Sequence, residues 1–275
     1  MLRFLFASLL AVSTHALSAA PAKASRAGSP PANYLVSPFD TAVESLPSTF
    51  DGLDLFRAFE AVKKSGFRPK SEYETTADFE ARKPVDAELP LYGNLKFGSN
   101  IAVVLMGEGS AMTQRYNAES KELVVTLEPK SIYSLPSFQV PYPYRLQSWR
   151  ANRLAQKMGT YSGVNAFNRK ALVTRMLVTN FGVLFVGHQY MSENTLTVPM
   201  DAQEAARNRN AIAVLAVGKL FAPFAHEDVR TEAPTIDFPT EILERSRLAL
   251  MDVSELWVFN YRTGQIYKKF PALLK

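Results

Sequence analysis

The chain has 275 residues, 47% of them hydrophobic and 21% charged, with a formal net charge of +5 and no cysteine. A chain this long can bury about three-quarters of the surface its unfolded form exposes, so a sizeable core is possible without disulfides. The absence of cysteine excludes thiol catalysis, thiolate metal sites and lipid anchoring through an N-terminal cysteine. The mild charge is far from a nucleic-acid footprint.

Arg3 precedes an unbroken apolar run from Phe4 to Val12, and small and polar residues follow it. Charge, apolar block and small residues in that order form a secretory signal peptide, expected over residues 1–18. The block is well short of the ~20 residues a membrane-spanning helix needs, so no transmembrane segment is expected once the signal is removed. Ala16-Leu17-Ser18 places small residues for a cut after Ser18, and cuts after Ala16 or Ala24 also fit. A mitochondrial transit peptide would share the acid-free, Ala- and Ser-rich start. It would also carry several arginines on an amphipathic helix, so the single Arg3 favours a periplasmic or secreted location. Residues 19–33 are rich in Ala, Ser, Pro and Gly and read as a disordered linker. Residues 34–275 read as one domain, with a split near Pro141 to Trp149 as the weaker alternative.

Within that domain, Phe50 to Lys64 reads as a helix capped by Asp51, with Leu55, Phe56, Phe59 and Val62 at helical spacing and Gly66 as its end. A second helix starts at Thr75 or Thr76 and stops at Pro84. Ile101 to Met106 is a continuous apolar run, expected as a buried strand. Met112 to Tyr116 and Glu122 to Leu127 flank a hairpin turn. Ala171 to Asn180 and Val183 to Val186 read as two strands punctuated by Gly182. Asp201 and Glu204 form a capping box for a helix through Arg207. Ile212 to Leu220 is a strongly apolar strand. A last hairpin pairs Leu256 to Tyr261 with Gln265 to Lys269 across the turn Arg262-Thr263-Gly264. Helices precede a group of neighbouring strands without regular alternation. The expected fold is therefore α+β, a mainly antiparallel or mixed sheet with a few flanking helices concentrated toward the N-terminal part.

The residues offer little that points to catalysis. After signal removal only His188 and His226 remain, which excludes a zinc triad of histidines. His226-Glu227-Asp228 could supply an acid–base pair, and a solvated loop accounts for it as well. Gly107-Glu108-Gly109-Ser110 lacks the trailing glycine of a nucleophile elbow and the lysine of a phosphate loop, so a tight turn explains it. Glu72, Glu74, Asp78 and Glu80 lie close in sequence, yet helix capping and solvation account for most of them. The stretch Tyr133 to Arg153 is more informative, because aromatic rings alternate with prolines and arginines follow. Tyr142, Tyr144, Arg145, Trp149, Arg150 and Arg153 are the candidate ligand-binding residues, able to stack on sugars or hold an anionic polymer. The competing account is that these rings pin a proline-stiffened loop to the core.

Residues 70–82 carry Lys70, Glu72, Tyr73, Glu74, Thr75, Thr76, Phe79 and Arg82. This resembles a K-x-E-[FY]-E-T-T-x-x-[FY]-x-x-R signature of uncharacterised secreted bacterial proteins. Tyr116 to Lys121, Tyr161 to Phe167 and Trp257 to Tyr267 resemble later pieces of the same group. Asn168 departs from it by standing where the pattern has glycine. The resemblance implies a bacterial envelope location and no assigned activity. The expected function is a non-enzymatic binding or interaction module of the cell envelope, acting on an envelope polymer or another envelope protein. The alternatives are a carboxylate-dependent hydrolase of such polymers and a secreted effector. No cofactor, metal or nucleic acid is expected.

Overall fold

The computed structural model describes residues 33–67, 71–106, 112–127, 147–164, 168–186 and 194–271. Along these residues run β1 (Asn33–Tyr34), β2 (Phe50–Gly52), α1 (Leu55–Lys64), α2 (Thr76–Ala87), β3 (Asn100–Leu105), β4 (Met112–Asn117) and β5 (Glu122–Leu127). They are followed by β6 (Gln147–Val164), β7 (Lys170–Phe185), β8 (Asn194–Pro199), α3 (Ala202–Asn208), β9 (Ile212–Glu232), β10 (Thr240–Asn260) and β11 (Ile266–Pro271).

Of the described residues, strand takes up 56% and helix only 13%, and the main sheet curls into a half-barrel. The expected α+β domain with helices gathered toward the N-terminal part is thereby overturned, and the protein is mostly β. The difference lies in four long strands. No sequence pattern marks β6, and β7 joins what reads as two short strands. β9 and β10 each run for 21 residues, far beyond their apolar stretches. Where these strands leave the core, their side chains become exposed and the hydrophobic pattern fades. Ladder hydrogen bonds to neighbouring strands hold the extended backbone there.

The larger sheet has the order β1-β2-β3-β9-β10-β7-β6, with β11 also on β10, and β4-β5-β8 make a second sheet. Pairing is antiparallel except for β1 with β2 and β7 with β10. β6 slips register on β7 twice, at Arg150/Asn152 and at Lys157/Gly159. β9 shows why its first half is apolar at every position. Ile212, Val214 and Ala216 pack with Leu123, Val125, Leu196 and Val198 of the smaller sheet. Ala213, Leu215 and Val217 face the other way, under Phe39, Leu46 and Phe50 of the segment that leads into β2. A strand covered on both faces loses the alternation of a half-buried one.

Local signals move by a few residues. Asp54, not Asp51, caps α1, its carboxylate accepting from the Arg57 N–H at 3.0 Å. α2 continues past Pro84 to Ala87, because a proline removes one helical hydrogen bond without ending the remaining turn. Thr75 caps it, accepting from the Asp78 N–H at 3.1 Å. Asp201 caps α3 through the Glu204 N–H at 2.8 Å. Asn168 has φ +59°, a left-handed conformation open to Asn and Gly.

Candidate functional site

The two ends of the curled sheet meet without closing. β1, β2 and β3 form one lip, β6 and β7 the other, and a cleft of about 410 Å³ lies between them at the start of α1. Leu53, Val103, Ala151, Leu154 and Phe181 give it apolar walls, and Phe56 stands at its edge, 54% exposed. Phe56 packs edge-on to Phe181 with centroids 6.2 Å apart. Tyr34, Asp51, Asp54 and Tyr261 form the polar end.

That polar end is tightly wired. Tyr261 donates its hydroxyl to Asp51 Oδ1 at 2.6 Å, and the Asn33 N–H donates to Asp51 Oδ2 at 2.9 Å. Asp54 Oδ1 caps α1, while its Oδ2 lies 3.3 Å from Arg57 Nε. The Asp54 N–H in turn donates to the Tyr92 hydroxyl at 2.8 Å. Burial pushes the Tyr92 phenol up to about 12. Burial and the Asp51 hydrogen bond raise Tyr261, and burial followed by the charges of Asp54 and Asp51 raises Tyr34. All three phenols are therefore held neutral beside the two carboxylates at ordinary pH.

Of the residues singled out in the sequence, Tyr142, Tyr144 and Arg145 lie outside the described residues, as do His188 and the Gly107–Ser110 turn. Trp149 and Arg150 fall on β6, where their backbones pair with Val183 and Gly182. Arg153 is exposed on the same strand, opposite Asn180. The predicted stretch thus runs into one lip of the cleft, where Ala151 and Leu154 line it. Tyr34, Asp51, Phe56 and Tyr261 are the site residues that sequence reasoning misses. They are drawn from both ends of the folded chain, and no spacing signal could unite them.

The other candidate groups resolve into structural roles. His226, Glu227 and Asp228 lie on a strand, whose period of two sends the middle side chain to the opposite face. Glu227 faces α1 and pairs with Lys63 (3.3 Å), Arg245 (3.2 Å) and Arg247 (3.6 Å). Asp228 pairs with Arg230 at 2.9 Å. His226 is buried, and burial lowers its pKa against the opposing pull of Asp228 and Glu227. Among the described residues, no group of three metal-ligating side chains comes together. The segment 74–86 contains a clamp. Arg82 makes a bidentate pair with Glu74 (2.8 and 3.2 Å), reaches Asp86 at 3.1 Å and covers the ring of Phe79. With Thr75 capping the helix, Glu74, Phe79 and Arg82 fix α2 to its own entry turn.

No family model, curated protein or solved structure matches this chain.

Proposed function

We propose that the protein is an exported binding module of the cell envelope whose seam cleft holds a sugar chain without cleaving it. The observation that carries this reading is the pairing, in one cleft, of accessible aromatic rings with two carboxylates already committed to protein donors. Phe56 and Tyr34 offer faces on which the C–H side of a sugar ring can lie. Asp51 and Asp54 each keep acceptor capacity beyond their present partners, since a carboxylate offers about four lone-pair sites. Their negative charge favours hydroxyl and ammonium donors, so chains containing free amino sugars suit the cleft best. A hydrolase would need one carboxyl free to change protonation. Here Asp51 already accepts from the Tyr261 hydroxyl and the Asn33 N–H, and Asp54 from the first turn of α1.

Isothermal titration with glucosamine oligomers, and with N-acetylglucosamine oligomers as the neutral comparison, tests the cleft. Saturable binding is expected, tighter for the amino form. Phe56→Ala should weaken it by about three- to tenfold, as the loss of one aromatic contact does. No saturable heat with either oligomer would remove the glycan reading. Release of new reducing ends would instead establish the hydrolase.

Support for export comes from the charge, apolar block and small residues of the first 18 positions. Expressed with its own N-terminus in a Gram-negative host, the protein should appear in the periplasmic fraction with an intact mass that begins at Ala19. Full-length material confined to the cytosol would overturn this part of the proposal.

A further inference from the structure

The four long strands run side by side in the order β9-β10-β7-β6. Side chains in register on neighbouring strands share a face, and the face alternates along each strand. One face packs on α1. There Phe181 meets Phe56, Arg247 lies over the Phe59 ring at 4.9 Å, and Glu227 pairs with Lys63 at 3.3 Å. Phe181, Arg247 and Glu227 are ladder partners and form one row. The next two rows on the same face supply one aliphatic side chain from each strand. Leu154 of β6 pairs with Thr179, Leu177 of β7 with Leu243 of β10, and Val229 of β9 with Arg245. Leu154 and Val229 are exposed, and Leu177 and Leu243 are half-buried. Together they make an apolar stripe across the sheet, three strand spacings or about 14 Å long. The charged residues beside it are committed to each other, Arg245 to Glu227 at 3.2 Å and Arg175 to Glu241 at 3.0 Å.

The stripe and the seam cleft are continuous, because Leu154 belongs to both. Tyr34 and Asp51, at the polar end of the cleft, stand on the opposite lip. A ligand that crosses the seam therefore passes from polar to apolar surroundings. The stripe is too small for a protein partner. A stable interface covers ~800 Å² on each side, and four partly exposed aliphatic side chains fall well short of that. One side chain wide and four strands long, the stripe has the proportions of an extended hydrocarbon chain. We infer that the ligand of the seam is an amphiphile, an amino sugar bearing a long hydrocarbon chain. The sugar sits in the cleft and the chain lies along Leu154, Leu177, Leu243 and Val229. This rests on the sugar reading of the cleft and adds the chain to it.

The test uses the mature chain with methyl and octyl glucosaminide, below micelle-forming concentrations, beside the glucosamine oligomers. Each fully buried methylene raises affinity about fourfold, so a chain covered on one side should make the octyl compound bind about tenfold or more tighter than the methyl. The double variant Leu177→Thr/Leu243→Thr should cut that ratio severalfold, with threonine keeping the preference for strand. Leu154→Thr, at an exposed position, should lower the same ratio and serves where the double variant does not fold. Equal affinities for methyl and octyl glucosaminide, with the oligomers bound, would overturn the inference and leave the sugar reading standing. Binding of the octyl compound without the oligomers would instead remove the sugar and keep the stripe. Binding of neither would overturn both. A ratio unchanged in the variants would overturn the stripe. A dimer in sedimentation that the double variant dissociates would give the face to a second copy of the chain and overturn the proposal.

Discussion

Replacing Trp257 by alanine should destabilise the protein by about 3–5 kcal/mol, the range for emptying a large aromatic site in a packed core. Trp257 is fully buried on β10, with the ring of Phe39 5.3 Å away and Leu46, Phe50, Leu215 and Phe259 in the same cluster. Its indole N–H donates to Glu255, and Lys269 lies over its ring at 4.0 Å. That lysine also donates to the carbonyls of Thr41 and Val43 at 2.8 and 2.7 Å. The indole therefore anchors the segment from Phe39 to Phe50, which leads into Asp51 and so into the polar end of the cleft. Urea denaturation followed by far-UV circular dichroism measures the loss, and Trp257→Phe should recover a large part of it. A cost of ~1 kcal/mol or less for the alanine variant would mean that the segment is held some other way.

Gly264→Ala should cost roughly 2 kcal/mol or more, from two separable causes. The residue has φ +76°, a left-handed conformation that penalises any Cβ. A Cβ there would also stand 1.8 Å from the Leu46 carbonyl oxygen and 3.1 Å from that of Pro47. Both obstacles are backbone, so the segment before β2 has to move. The approach is close because the Leu46 N–H donates to the Gly264 carbonyl at 2.8 Å, locking the last turn to that segment. Gly66 provides the comparison, with φ +71° and nothing within 4 Å of the point where an added methyl group would stand. Gly66→Ala should therefore show the conformational penalty alone, about 1 kcal/mol. Equal melting-temperature losses for the two variants would show that the Leu46 contact yields without cost.

These two positions also illustrate how much the sequence can reveal. The turn at Arg262-Thr263-Gly264 and the apolar strands around Val214 and Val258 are legible, because turn chemistry and full burial leave local marks. The hairpin of β4 and β5 is legible for the same reason. β6 is not, since its outer half carries exposed polar and apolar residues in no regular order. An extended strand of that kind is specified by the neighbour it pairs with, and a single sequence does not display its neighbours. Asp51 reads as a helix cap because an acid before an apolar stripe usually is one. Its actual partners, Asn33 and Tyr261, lie 18 and 210 residues away. The cleft is a product of how the sheet curls, and only the assembled topology brings its lips together.

The register slip near the middle of β6 has a consequence for behaviour in concentrated solution. Among the described residues β6 ends the main sheet as an 18-residue strand, and an uninterrupted edge of that length is a template on which copies can zip into fibrils. The slip between Lys157 and Gly159 breaks the row of backbone donors and acceptors, and Gly159, at φ +146°, turns the chain out of the regular pleat. Lys157 adds a charge beside the break. The irregularity thus guards against edge-to-edge aggregation, a hazard that a mostly β protein with such long strands would otherwise carry along its whole flank.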